Sequence, residues 1–160
     1  MTVALGAEMI RRGLKVMTVK HGHGFRLDQP GRDSWRHRHE GGAFRTVVAG
    51  PDDFGVLGRW PGQEMSLVEI VERFLWDADF VLAEGFKSSP EPKIEVVRRA
   101  SSSEPLLGSG MEGSSRILAV VTDRTEWEVP VPLFDLDSPT HPQEVVEFLL
   151  REVPPARGEP

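Results

Sequence analysis

The stretch KHGHGFRLDQPGRDS, residues 20–34, decides how this chain is read. It follows the apolar run LKVMTV, residues 14–19, whose β-branched residues predict a buried strand. Just past it come Lys20, His21, His23, Asp28, Arg32, Asp33 and Ser34, set among glycines at 22, 24 and 31 and Pro30. Open α/β sheets hold ligands outside the carboxyl ends of their strands, where such polar groups collect. A second run, Phe80-Val81-Leu82-Ala83, ends the same way in Glu84-Gly85-Phe86-Lys87. A third, Ile117 through Val121, stops at Thr122-Asp123. In a parallel sheet these three ends share one rim, so residues distant in sequence are expected to converge there.

The elements between these strands fit the same plan. Residues 3–12 predict a helix with Val3, Ala7 and Ile10 on its apolar face and Gly13 as its stop. Asp33 or Ser34 is a candidate N-cap for a short helix through Glu40, closed by Gly41-Gly42. Strands are expected over 46–49 and 54–59. Ser66 and Glu69 form a capping-box pattern before a helix whose stripe is Leu67, Ile70, Val71, Phe74 and Leu75. Residues 92–97 alternate as a half-exposed or edge strand does. Residues 100–115, rich in Ser and Gly, read as a solvent loop. A short strand over 131–134 and a helix to Arg151, with a stripe of Val145, Val146, Phe148 and Leu149, complete the pattern. Strands alternating with helices predict an α/β fold with a largely parallel sheet. We expect one domain over residues 1–153 and a tail over 154–160.

Composition narrows the function classes. The 160 residues are 39% hydrophobic and 28% charged, which suits one domain with a real core. The net charge of −6 argues against a nucleic-acid or anionic-membrane surface. With no cysteine, a thiolate nucleophile, a disulfide scaffold and a cysteine zinc site are excluded. No apolar run approaches the roughly 20 residues of a spanning helix. Glu8, Arg11 and Arg12 interrupt the first apolar positions before a signal-peptide core forms. A cytoplasmic location is the expectation.

At the rim, Glu84 offers a carboxylate that holds magnesium directly or through water, or else is simply a solvated strand end. Gly85 lets phosphate oxygens approach the backbone. Lys87 neutralises phosphate or stays in solvent. Asp28, Asp33 and Ser34 are either further oxygen ligands near a magnesium-phosphate group or a turn former and helix caps. His21 and His23 suit hydrogen bonding better than metal ligation, because no third ligand is evident. His37 and His39 diverge by roughly 200° around a helix axis, so a metal pair there is not expected. Asp123 is a candidate acceptor for a guanine edge, whose adjacent N–H donors match two carboxylate oxygens, or a loop aspartate. The four tryptophans read as core or interface residues.

Taken together, KHGHG, DQPGRDSWRHRHEGG and DFVLAEGFKSSPEPKIEVVR resemble the molybdopterin-guanine dinucleotide biosynthesis adapter family, MobB. The resemblance runs from Met1 to about Phe148. It implies a three-layer P-loop NTPase-like fold, a mostly parallel sheet with helices on both faces. It also implies GTP and Mg2+ as ligands, weak GTPase activity, homodimers, and work beside the guanylyltransferase and other molybdopterin-processing enzymes. Carried over to this sequence, Glu84 serves the magnesium-phosphate site, and Lys20, His21, Gly85 and Lys87 line the nucleotide. Asp28, Asp33 and Ser34 belong to the loop near it, and Asp123 faces the base.

One departure matters. The sequence contains no G-x-x-x-x-G-K-[ST], the motif whose backbone N–H groups and lysine hold β- and γ-phosphates. Family members place a strand and that loop before the helix that here starts at Met1. Two expectations follow: the first residue is an internal methionine of a longer protein, or the chain is a degenerate form. In both, these 160 residues bind GTP and Mg2+ weakly or not at all, are inactive as a GTPase, and leave a slot in the sheet. The rival readings are a nucleotide-free adapter that only docks on partner enzymes, and a metallochaperone of similar fold using His21 and His23.

Overall fold

A computed structural model describes residues 1–22, 28–101 and 103–153. In chain order the elements are α1 (Thr2–Arg11), β1 (Val16–Lys20), α2 (Asp33–His39), β2 (Arg45–Ala49) and β3 (Phe54–Gly58). There follow α3 (Leu67–Phe74), β4 (Phe80–Glu84), β5 (Lys93–Val97), a 3-10 turn (Ser114–Arg116), β6 (Ile117–Thr122), β7 (Leu133–Asp135) and α4 (His141–Glu152). They form two compact units, one of residues 1–21 with 67 onward, the other of residues 22–66.

In the first unit every strand pairing is parallel. β1 pairs with β4 in a register that sets Val16 against Phe80 and Lys20 against Glu84, so the two strands end level. β6 lies between β5 and β7 in a separate three-stranded sheet. Parallel neighbours cannot be joined by tight hairpins, so each is reached by a crossover. β6 is the best-covered strand because consecutive residues point to opposite faces and both faces are packed. Val121 joins Leu5 and Met9 of α1 and Val145, Val146 and Leu149 of α4 in one cluster. Val120 turns the other way, to Val97, Ile117, Leu106, Leu107, Trp127 and Val131. Each such fully buried aliphatic side chain contributes about 1.5–3 kcal/mol.

Several local expectations are corrected here. The apolar face of α1 is not Val3, Ala7 and Ile10: Val3 is 87% and Ile10 61% exposed, while Leu5, Gly6, Glu8 and Met9 are buried. The expected face left out Leu5 and Met9 as well as the carboxylate of Glu8. That carboxylate is buried because Arg11 and Arg12 both ion-pair with it, at 2.7 and 2.6 Å. β4 reads as the most apolar strand, yet none of its residues is fully buried. Among the described residues it has one hydrogen-bonded neighbouring strand, β1. In α3 only Leu67 is buried; Phe74 of the expected stripe is 43% exposed. The stripe of α4, in contrast, is buried at all four positions.

In the second unit β2 and β3 form an antiparallel ribbon, from Arg45 opposite Gly58 to Ala49 opposite Phe54. Val47, Val56 and Phe54 share its exposed face. The N-cap of α2 is Arg32, with no side-chain cap bond, so neither Asp33 nor Ser34 caps it. Asp33 sits in the first turn, where the helix dipole favours a carboxylate.

Candidate functional site

The level ending of β1 and β4 brings Lys20 and Glu84 together. The Lys20 Nζ donates to Glu84 Oε1 at 2.5 Å, and the Thr2 hydroxyl lies 3.4 Å from Oε2. Lys20 holds the Glu84 carboxyl below the usual carboxylate range, so it is ionised at neutral pH. Both side chains face solvent, at 69% and 48% exposure. The pair is therefore charged and open to solvent rather than buried.

Past Glu84 the backbone is constrained. The His21 N–H donates to the Glu84 carbonyl at 2.8 Å and carries the β1–β4 pairing one residue further. Gly85 has φ +90, and a Cβ there would lie 2.9 Å from the His21 carbonyl oxygen. Only glycine fits both the conformation and the space. Phe86 follows at φ +47, the one non-glycine residue with positive φ among the described residues. Such a conformation costs about 1–3 kcal/mol and persists where surrounding contacts over-determine it, commonly at functional sites. The Phe86 ring lies 5.1 Å from the His21 imidazole, tilted by 45°. Lys87 is exposed.

Asp28, Asp33 and Ser34 belong to the second unit. Asp28 takes a hydrogen bond from Ser34 Oγ at 3.0 Å and an ion pair from Arg38 at 2.8 Å. Arg38, with help from Ser34, lowers the Asp28 pKa. These contacts shape residues 28–38, and Asp33 stands exposed. His39 stacks on Trp35 at 4.3 Å and its Nδ1 lies 2.8 Å from the Trp35 carbonyl. His23 lies outside the described residues. Among the described residues no group of three His, Cys, Asp or Glu side chains is placed to hold a metal ion.

Asp123 follows β6, and its Oδ1 accepts the Arg99 N–H at 2.6 Å. It therefore ties the end of β5 to the end of β6. One of its two carboxylate oxygens is thus engaged by the backbone of the chain itself. Sequence reasoning missed Thr2, Phe86, Lys93 and Gly113. The positive φ of Phe86 has no local sequence signal, because a bulky side chain rarely adopts that conformation. Nothing in the sequence marks the other three either.

The chain can now be set beside known proteins. The family model described as Molybdopterin guanine dinucleotide synthesis protein B, MobB, matches residues 3–123. The molybdopterin-guanine dinucleotide biosynthesis adapter protein of Haemophilus influenzae is 33% identical over 118 residues, 72% of this chain and 62% of that protein. Its Escherichia coli counterpart is 31% identical over 97 residues, 59% of this chain and 55% of that one. The chain thus spans about three fifths of the length of the curated relatives it matches. The crystal structure of molybdopterin-guanine biosynthesis protein B (mobB) superposes with a TM-score of 0.69 at 28% identity, covering 95% of this chain and 92% of the other. Bacillus subtilis MobB, at 20% identity and a TM-score of 0.64, covers 99% and 91% and shares the fold.

Proposed function

Because the chain belongs to the molybdopterin guanine dinucleotide synthesis protein B family, we propose that it is an adapter in molybdopterin guanine dinucleotide biosynthesis. In this reading residues 1–153 form its working domain, which assists the guanylyltransferase and meets a guanine nucleotide at the Lys20–Glu84 rim. Glu84 carries the proposal. It is an ionised oxygen donor at a strand end, of the kind magnesium prefers, and its cationic neighbour Lys20 suits a phosphate. The donor chemistry fits a magnesium ion, which when bound would neutralise phosphate charge. His21 and Gly85 set the backbone beside it, and exposed Lys87 adds positive charge. Asp123 offers a single acceptor to the base. Asp28 and Ser34 serve by shaping their own loop, with Asp33 at the helix start. Homodimerisation and a cytoplasmic setting belong to the same proposal; no helix of the described residues is long and apolar enough to cross a membrane.

Titration calorimetry with GTP and magnesium tests this. Weak, saturable binding that requires magnesium and disappears in Glu84→Gln is expected. Binding that survives Glu84→Gln, or none in wild type, removes the nucleotide half of the proposal. One observation favours the second reading, a nucleotide-free adapter: the sequence has no G-x-x-x-x-G-K-[ST]. Under that reading the chain binds the guanylyltransferase equally well with and without GTP.

A further inference from the structure

The loop after Glu84, residues 85–92, is fixed by contacts that neither the fold nor the Lys20–Glu84 pair accounts for. Lys93, the first residue of β5, turns its Nζ back into the loop. It donates to the Ser89 carbonyl and, at 3.0 Å, to the Glu91 carbonyl. The amine is partly buried, and burial is the main cause lowering its pKa, against the pull of Glu91. Beneath the loop lies Gly113 at φ +83. A Cβ there would run into the Lys87 carbonyl oxygen and lie 3.1 Å from Lys93 Nζ and 3.2 Å from the Ser89 carbonyl oxygen. Within the loop, the Ser89 N–H donates to the Phe86 carbonyl at 3.0 Å and the Glu91 N–H to Ser89 Oγ at 3.4 Å. Pro90 and Pro92 remove two further freedoms.

We propose that Lys93 is a positioning residue, its ammonium acting as a tethered cation that gathers the Ser89 and Glu91 carbonyls and so locks residues 85–92 beside Glu84. Two carbonyl oxygens that converge on one point repel one another, and the Lys93 ammonium bonded to both offsets that repulsion. The strain at Phe86 needs surroundings that over-determine it. Lys93 from one side and the bare backbone of Gly113 from below meet that need. The consequence for ligand binding rests on the nucleotide reading above: a loop held in place before the ligand arrives costs no ordering entropy on binding.

Hydrogen–deuterium exchange on the full chain tests the lock without any nucleotide. In Lys93→Met the Ser89 and Glu91 amides should exchange at least about tenfold faster, the scale of losing charge-assisted hydrogen bonds. Amides of β6 and α4 should stay as protected as in wild type. In Lys93→Ala, added propylammonium chloride should restore slow exchange at Ser89 and Glu91, and sodium chloride of equal ionic strength should not. Gly113→Ala should release the same amides. Unchanged exchange at Ser89 and Glu91 in Lys93→Met overturns the proposal, as does an equal loss of protection in β6 and α4. Magnesium-GTP titration then tests the link to ligand. Weaker binding by Lys93→Met supports it, and equal affinity overturns it while the function proposed above stands. No binding by wild type counts against that function alone, and the exchange result still decides the role of Lys93.

Discussion

β6 and β4 have nearly the same kind of sequence and opposite fates. ILAVVT is buried at five of its six positions, whereas FVLAE has no fully buried residue. The difference is in what surrounds them. β6 has a strand on each side and packed clusters on both faces. Among the described residues β4 pairs with β1 alone, and its last residues open onto solvent. Apolar composition states what a strand prefers; neighbours decide how much of that preference is met. The well-covered strand is a structural beam, and the poorly covered one delivers Glu84 to the rim.

Substitutions in the two strands should separate these roles. Ile117→Ala in β6 should cost about 2–5 kcal/mol in urea denaturation, the range for truncating a buried isoleucine. Gly85→Ala at the end of β4 comes next, at about 1–3 kcal/mol, because it forces a side chain into a left-handed backbone against the His21 carbonyl. Leu82→Ala, in the half-covered body of β4, should cost about half of the Ile117 value or less. A Leu82 loss equal to that of Ile117 would erase the contrast.

The carboxylates Glu8 and Glu84 repeat the comparison at the level of charge. Glu8 is buried between two arginines, which lower its pKa to about 2 from 4.5. A depressed folded-state pKa adds stability above the ordinary value and loses it as pH falls through the folded one. The urea midpoint should therefore fall between about pH 5 and pH 2, and Glu8→Gln should flatten that part of the profile. Glu84 is exposed and paired with a single lysine. Glu84→Gln should leave the urea midpoint at neutral pH within experimental error, since exposed pairs are screened by solvent and salt. A large loss would mean that the Lys20–Glu84 pair carries part of the fold.

Much of this was legible from local pattern. The polar endings of β1 and β4 were visible in KHGHG and EGFK, while their level ending comes from the register that sets Lys20 against Glu84. The stripe of α4 was readable because four apolar residues sit on one helical face with charged neighbours elsewhere. The face of α1 was not readable, because its core side includes a carboxylate that only two nearby arginines make tolerable. Phe86 and Lys93 were illegible for a related reason. A positive φ and an ammonium among carbonyls are set by atoms from other segments, Gly113 among them.

The sequence by itself determined the alternation of strands and helices, the polar residues at each strand end and the lack of G-x-x-x-x-G-K-[ST] within these 160 residues. These depend on residue order and side-chain chemistry alone. The tertiary structure decided which apolar strand is buried, which face of α1 turns inward, and which cation meets which oxygen. Those outcomes depend on neighbours brought together from distant parts of the chain, and burial and electrostatics act through space rather than along the backbone.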